Sequence, residues 1–255
     1  DLSTIALVIH GTTLATNAII ERKGARTALL TTSGHRDVLG MALENRFEQY
    51  DVNIERPEPI VPRYLRLPIS ERVGAKGNVL VPLDWKTVDR ALDVCEKEGV
   101  TSIVVGFLHS YVNPSHEDLV SERVKQRFPS ISVTTSSSVC PEIREYERLS
   151  TACANGYVLP LMSKYLDALG GKLKAAGCDC PYLMMTSGGG LMSFQNAARF
   201  PIRLVESGPA GGAIMASNLA NTRGIERMLS FDMGGTTAKI CLVDNGEPQL
   251  SRSFE

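Results

Sequence analysis

Three stretches of this sequence combine glycine with hydroxyl side chains: Ser187-Gly188-Gly189-Gly190, Ser207-Gly208-Pro209-Ala210-Gly211-Gly212, and Gly234-Gly235-Thr236-Thr237. Glycine has no Cβ, so backbone N–H groups can approach an anion closely, and neighbouring hydroxyls add donors. Asp232 stands just before the third stretch, and an acid beside a phosphate cradle is the residue type that holds Mg2+, usually through water. A single glycine turn is better explained as a tight corner. Three such turns, with hydroxyls and an acid, point to a nucleotide. Neither G-x-x-x-x-G-K-[ST] nor a G-x-G-x-x-G after a first strand is present, which excludes the P-loop and the Rossmann fingerprint. The third stretch has another form: acid-x-Gly-Gly-Thr-Thr between two apolar runs, a hairpin.

A fourth stretch, His10-Gly11-Thr12-Thr13, offers amides and hydroxyls to an anion or a carbonyl. The alternative is a helix cap beside a structural histidine. Asn17 lies one helical turn beyond Thr13 on the same side.

The elements that must position these residues are legible in the periodicity. The apolar run 5–9 feeds His10; Thr12 or Thr13 can cap a helix through Ile20, with Gly24 as its stop. Residues 26–32 predict a buried strand before a Ser33-Gly34-His35 turn, and the proline-rich segment 51–82 an extended connection with a short strand near 65–73. Residues 84–99 predict an amphipathic helix burying Val88, Ala91, Leu92 and Cys95. The β-branched run 101–110 predicts a strand covered on both faces. A helix over 113–128, a strand over 130–137 and a helical stretch over 140–177, divided near Pro160, follow. Residues 182–190 predict a strand entering a glycine turn, and 205–220 a glycine turn entering a helix. Helix and strand alternate, so the expected class is α/β with a mostly parallel sheet and flanking helices.

With 255 residues the chain has room for one large domain or two small ones. A composition of 43% hydrophobic and 22% charged residues is that of a globular protein. A formal net charge of −1 gives no reason to expect nucleic acid or a membrane surface as partner. No apolar run approaches the ~20 residues of a membrane span. The six cysteines are scattered, and Cys178-Asp179-Cys180 is too short for a zinc knuckle, so reduced thiols and a cytoplasmic location are expected. No metal role is assigned to His35, His109 or His116, and His116 is expected at the surface or as a helix cap. The charge run from Glu142 to Arg148 is expected to be a solvated face; the alternative makes Arg144 or Arg148 a substrate or subunit contact.

The segments "HGTTLATNAIIERKGARTALLTTSGHRD", "NPSHE", "PEIREYERLSTACANGYVLP", "TSGGGL", "SGPAGG" and "DMGGTT" together resemble the hydantoinase/oxoprolinase family. It includes the A subunits of ATP-dependent N-methylhydantoinases, 5-oxoprolinase and subunits of acetone-type carboxylases. The resemblance implies an actin-like, sugar-kinase-like (ribonuclease H-like) fold, with an N-terminal hydantoinase/oxoprolinase domain over 1–140 and the start of a hydantoinase A domain over 141–255. It also implies that the chain is an internal piece, incomplete at both ends and inactive alone, because the family places another phosphate hairpin upstream.

In function, the resemblance implies the ATP-binding portion of a cyclic amidase that cleaves C–N bonds with ATP and Mg2+. The cofactor-binding residues would be Gly234, Gly235, Thr236, Thr237, Ser207, Gly208, Gly211, Gly212, Ser187, Gly188 and Gly189. His10, Gly11, Thr12, Thr13 and Asn17 would bind substrate. Asp232 would hold the metal and, with Lys239, form the catalytic pair. Many members continue the hairpin as Thr-x-Thr-Asp, whereas this chain has Thr237-Ala238-Lys239; a lysine there can contact a phosphate directly. The implied partners are a cyclic-amide substrate and a hydantoinase B-type subunit, with a homo-oligomer left open. The alternatives are a subunit of an acetone-type carboxylase, or a non-catalytic module of the same fold with Lys239 marking lost hydrolysis.

Overall fold

The computed structural model describes residues 2–43, 50–54, 57–234 and 238–249. In chain order its elements are β1 (Val8–His10), α1 (Leu14–Ile20), β2 (Thr27–Thr32), α2 (Val38–Met41), β3 (Arg66–Ile69), β4 (Arg72–Val73), β5 (Val79–Val81), α3 (Trp85–Lys97), β6 (Ser102–Gly106) and α4 (Ser115–Arg127). There follow β7 (Ser132–Thr135), α5 (Ser136–Val139), α6 (Glu145–Ala175), β8 (Tyr182–Met185), β9 (Leu191–Ser193), α7 (Phe194–Arg199), α8 (Ser207–Arg223), β10 (Arg227–Met233), β11 (Ala238–Asp244) and β12 (Glu247–Pro248). Two compact units result: residues 18–162, and residues 1–17 with 163–255.

The unit of residues 18–162 is built on a four-stranded sheet of order β3-β2-β6-β7, parallel throughout. Every residue of β2 and of β6 is buried, as continuous apolar runs require when helices cover both faces. Val88, Ala91, Leu92 and Cys95 of α3 enter its core, and Asp84 caps that helix through the Lys86 N–H at 3.0 Å.

Three local expectations are corrected in this unit. Helix α1 ends at Ile20 without help from Gly24; Arg22 takes the left-handed conformation (φ 56°) instead. A Cβ on Gly24 would collide with the Tyr157 ring, so close packing explains the glycine there. Helix α6 is not divided at Pro160. Proline has no N–H and orphans the carbonyl four residues earlier; that carbonyl, Gly156 O, accepts a hydrogen bond from Ser102 Oγ at 2.7 Å. A Cβ on Gly156 would lie 2.6 Å from Val104 Cγ2, so this glycine brings the helix onto β6.

The third correction concerns charge. His116 is neither at the surface nor a cap: it is buried, with Nδ1 2.8 Å from Glu71 Oε2. Arg148 leaves the expected solvated face altogether and is 0% exposed, whereas Arg144 stays largely exposed. Helical spacing put both arginines on one charged segment but could not show that the sheet end closes over Arg148.

The second unit holds two three-stranded sheets. In one, β1 pairs parallel with β8, and β8 antiparallel with β9. In the other, β10, β11 and β12 form an antiparallel meander in which Asp232 lies directly across from Lys239. After β11 the chain turns at Asp244-Asn245-Gly246, with Asn245 and Gly246 both at positive φ. Among the described residues no helix is long and apolar enough to cross a membrane.

Candidate functional site

The described residues expected to bind nucleotide, metal or ring all fall in the unit of residues 1–17 and 163–255, whereas Arg144 and Arg148 belong to the other. Gly235, Thr236 and Thr237 lie outside the described residues. The site grows around the N-terminus of α8. The segment 205–212 is not a glycine turn leading into a helix: the helix begins at Ser207, so Gly208, Gly211 and Gly212 are helical residues. The change of direction falls on Glu206, held left-handed at φ 68° and ψ 14°. A non-glycine residue in that region is strained and stays there only when its surroundings fix it.

Its surroundings come from the His10-Gly11-Thr12-Thr13 segment and the turn of α1. The Glu206 N–H donates to Thr16 Oγ1 at 3.1 Å, and Ser207 Oγ donates to the Thr12 carbonyl at 3.3 Å. A Cβ on Gly208 would sit in ordinary contact with Thr13 Cγ2 at 3.5 Å. Thr12 Oγ1 accepts from the Leu14 N–H at 3.2 Å, so the Thr12 hydroxyl satisfies the first N–H of α1 from one residue outside the cap position, Thr13. His10 Nε2 lies 2.7 Å from the Tyr165 hydroxyl. The Asn17 N–H bonds the Thr13 carbonyl at 2.8 Å, ordinary helix geometry.

The Glu206 carboxylate forms an ion pair with Lys239 of β11, and both side chains are about three-quarters buried. Burial pushes the Lys239 ammonium below its ordinary value. The facing residue, Asp232, is exposed, and its carboxylate has no hydrogen-bond or ion-pair partner among the described residues. Among the same residues no three of the His, Cys, Asp and Glu side chains gather closely enough to hold a metal ion. The cysteine pair does come together, Cys178 Sγ lying 3.4 Å from Cys180 Sγ, as free thiols.

The Ser187-Gly188-Gly189-Gly190 turn joins β8 to β9. The Gly189 N–H closes it on Thr186 O at 3.0 Å, with Gly189 at φ 78°. Ser187 N–H donates to Arg203 O at 2.9 Å and is therefore occupied. Gly211 faces Met185, whose Sδ would lie 2.8 Å from an added Cβ; among the described residues nothing lies within 4 Å of one on Gly188 or Gly212. Gly211 thus lets α8 approach β8, whereas Gly188 and Gly212 present backbone to open space.

Sequence reasoning missed Glu206, Thr16 and Tyr165. Glu206 carried a signal, an acid directly before a Ser-Gly-Pro helix start. Thr16 and Tyr165 carried none, because their partners are far away along the chain.

The Hydantoinase/oxoprolinase N-terminal region matches residues 1–128, and the Hydantoinase/oxoprolinase family matches residues 148–255. The chain belongs to the hydantoinase/oxoprolinase family. It is 33% identical over 98% of its length to caprolactamase subunit alpha of Pseudomonas jessenii, and 30% identical over its whole length to 5-oxoprolinase of Saccharomyces cerevisiae. It spans 36% and 21% of those relatives. The crystal structure of the ATP-dependent caprolactamase of P. jessenii superimposes with a TM-score of 0.84 over 94% of this chain and 35% of that one. A nucleotide-free acetone carboxylase, from a study of ATP-dependent acetone carboxylation, gives 0.83 at 28% identity over 95% and 36%. The fold is therefore α/β of the expected actin-like kind.

Proposed function

We propose that the chain is the ATP-binding portion of an ATP-dependent cyclic amidase, acting with a hydantoinase B-type subunit. The observation that supports this reading is the convergence on one residue, Glu206, of the His-Gly-Thr-Thr segment, the N-terminus of α8 and the hairpin strand. The Ser207 and Gly208 N–H groups head α8, where the helix dipole favours an anion. The exposed Asp232 carboxylate fits a Mg2+ ion that takes its other ligands from phosphate oxygens and water. Bound Mg·ATP would supply the phosphoryl group that activates an amide carbonyl oxygen. This chain's own residues would then position charge rather than form covalent bonds. Asp232 would hold the metal, Lys239, once released from Glu206, would neutralise phosphate charge, and His10 with Thr12 and Thr13 would face the ring. The division near residues 140 and 141 into two family domains belongs to the same proposal.

A second reading, an acetone-type carboxylase subunit, draws on the nearly equal likeness to acetone carboxylase. One experiment separates the two: ATP hydrolysis by the full-length protein with hydantoins, lactams and ketones in turn. Stimulation by a cyclic amide supports the amidase, and stimulation by a ketone with bicarbonate the carboxylase. No stimulation by any of them contradicts both.

A further inference from the structure

The parallel sheet of residues 18–162 brings a second group of polar residues to one edge. Thr32 ends β2, Glu71 and Arg72 follow β3, His109 follows β6, and Ser136 and Ser137 follow β7. In open α/β sheets the carboxyl ends of the strands are where ligands bind. The carboxylates of this edge are already engaged. Glu71 accepts from Thr32 Oγ1 and pairs with His116. Glu117, fully buried, accepts from the Phe107 and Ser137 N–H groups and from both serine hydroxyls, at 2.6–2.9 Å.

The cations are not matched in the same way. Among the described residues Arg72 has no carboxylate at ion-pair distance; its Nη1 meets His35 Nε2 at 2.9 Å. A guanidinium only donates, so His35 Nε2 is the acceptor and the ring proton sits on Nδ1. His109 donates Nδ1–H to Val73 O at 2.8 Å. Arg148, 0% exposed, is held by the Glu142 and Phe107 carbonyls at 2.5 and 3.3 Å and stacks over Tyr111. It pairs with the Glu145 carboxylate at 4.0 Å, and its Nε has no partner among the described residues. A half-buried guanidinium such as that of Arg72, without a carboxylate partner among the described residues, is costly unless an anion completes it.

We infer that this sheet edge is a binding site for the oxyanion of a small molecule, a carboxylate or a phosphoryl group, with the Arg72 guanidinium as its first contact and His35 beside it. The inference rests on residues 18–162 alone and survives if the nucleotide reading of the other unit fails. The guanidinium fork matches either oxyanion bidentately. Burial, and then the Arg72 charge, hold His35 below its ordinary value, which keeps the ring neutral and its tautomer fixed near pH 7.

The test is calorimetric titration of the full-length protein with malonate and, separately, with inorganic phosphate. At least one should saturate with a Kd of about 1 mM or tighter; the one that does names the source of the oxyanion. Arg72→Ala should weaken that binding about ten- to a hundredfold, the range for a charge-assisted contact. In the unmodified protein, the His35 ring resonance should move with the same titration while that of His116, closed off by Glu71, stays. This second readout needs no variant and stands if Arg72→Ala fails to fold. Saturation by neither anion, an Arg72→Ala variant that binds like the wild type, or a silent His35 resonance would overturn the inference.

Discussion

Glu206 and Lys239, 33 positions apart in the numbering, form an ion pair that ties the first residue before α8 to the hairpin strand β11. The pair is mostly buried, and Glu206 is in a left-handed conformation. Thermal unfolding of Glu206→Gln, Lys239→Met and the double variant should give a coupling of about 1 kcal/mol, the upper end for pairs with some exposure. Additive effects would show that the pair holds nothing together.

Gly211 and Gly212 separate packing from ligand approach. Gly211→Val should destabilise the protein by about 1–3 kcal/mol because Met185 has to move. Gly212→Ala meets open space and should gain roughly 0.5–1 kcal/mol from helix propensity. A nucleotide lying over α8 would make the same variant bind Mg·ATP more weakly. Calorimetry with circular dichroism as the folding control reads both quantities. Unchanged affinity in Gly212→Ala would confine these glycines to packing.

Ser102→Ala removes the donor to Gly156 O, the carbonyl that Pro160 leaves without its helical partner. The expected loss is about 1–3 kcal/mol, the cost of a buried unsatisfied carbonyl, seen in urea unfolding. A loss below a few tenths would mean that α6 tolerates Pro160 by other means.

His35 gives a pH dependence with a definite sign. Its value in the fold lies below the ordinary 6.5, through burial first and Arg72 second, with His109 adding to the shift and Glu145 and Glu71 opposing it. The stability contributed by neutral His35 is therefore present above 6.5 and is lost as pH falls through the lowered value. His35→Gln should flatten the acid side of the unfolding-midpoint profile relative to wild type. A wild-type-like acid limb in that variant would contradict the assignment.

Much of the scaffold was legible because single residues carry local rules. Asp84 with the period of Val88, Ala91, Leu92 and Cys95 marks α3, and the run Ser102–Gly106 marks a strand covered on both faces. The failures were tertiary. Pro160 reads as a helix break until Ser102 is seen to satisfy Gly156, and the burial of Arg148 depends on the Phe107 carbonyl, 41 residues away. Of the candidate site, the Gly-rich stretches and Asp232 announced themselves by residue type. Glu206 showed only an acid before a helix start, because its role comes from a backbone conformation and from partners at Thr16 and Lys239.

Nucleotide binding by the unit carrying Asp232, as proposed, is read by titrating Mg·ATP into the full-length protein and into its Asp232→Ala variant, with hydrolysis measured on both. Micromolar affinity is expected for the wild type, roughly −8 kcal/mol, with a variant that keeps its fold but hydrolyses no ATP. Absence of binding heat in the wild type, or wild-type turnover with normal metal dependence in Asp232→Ala, would contradict it.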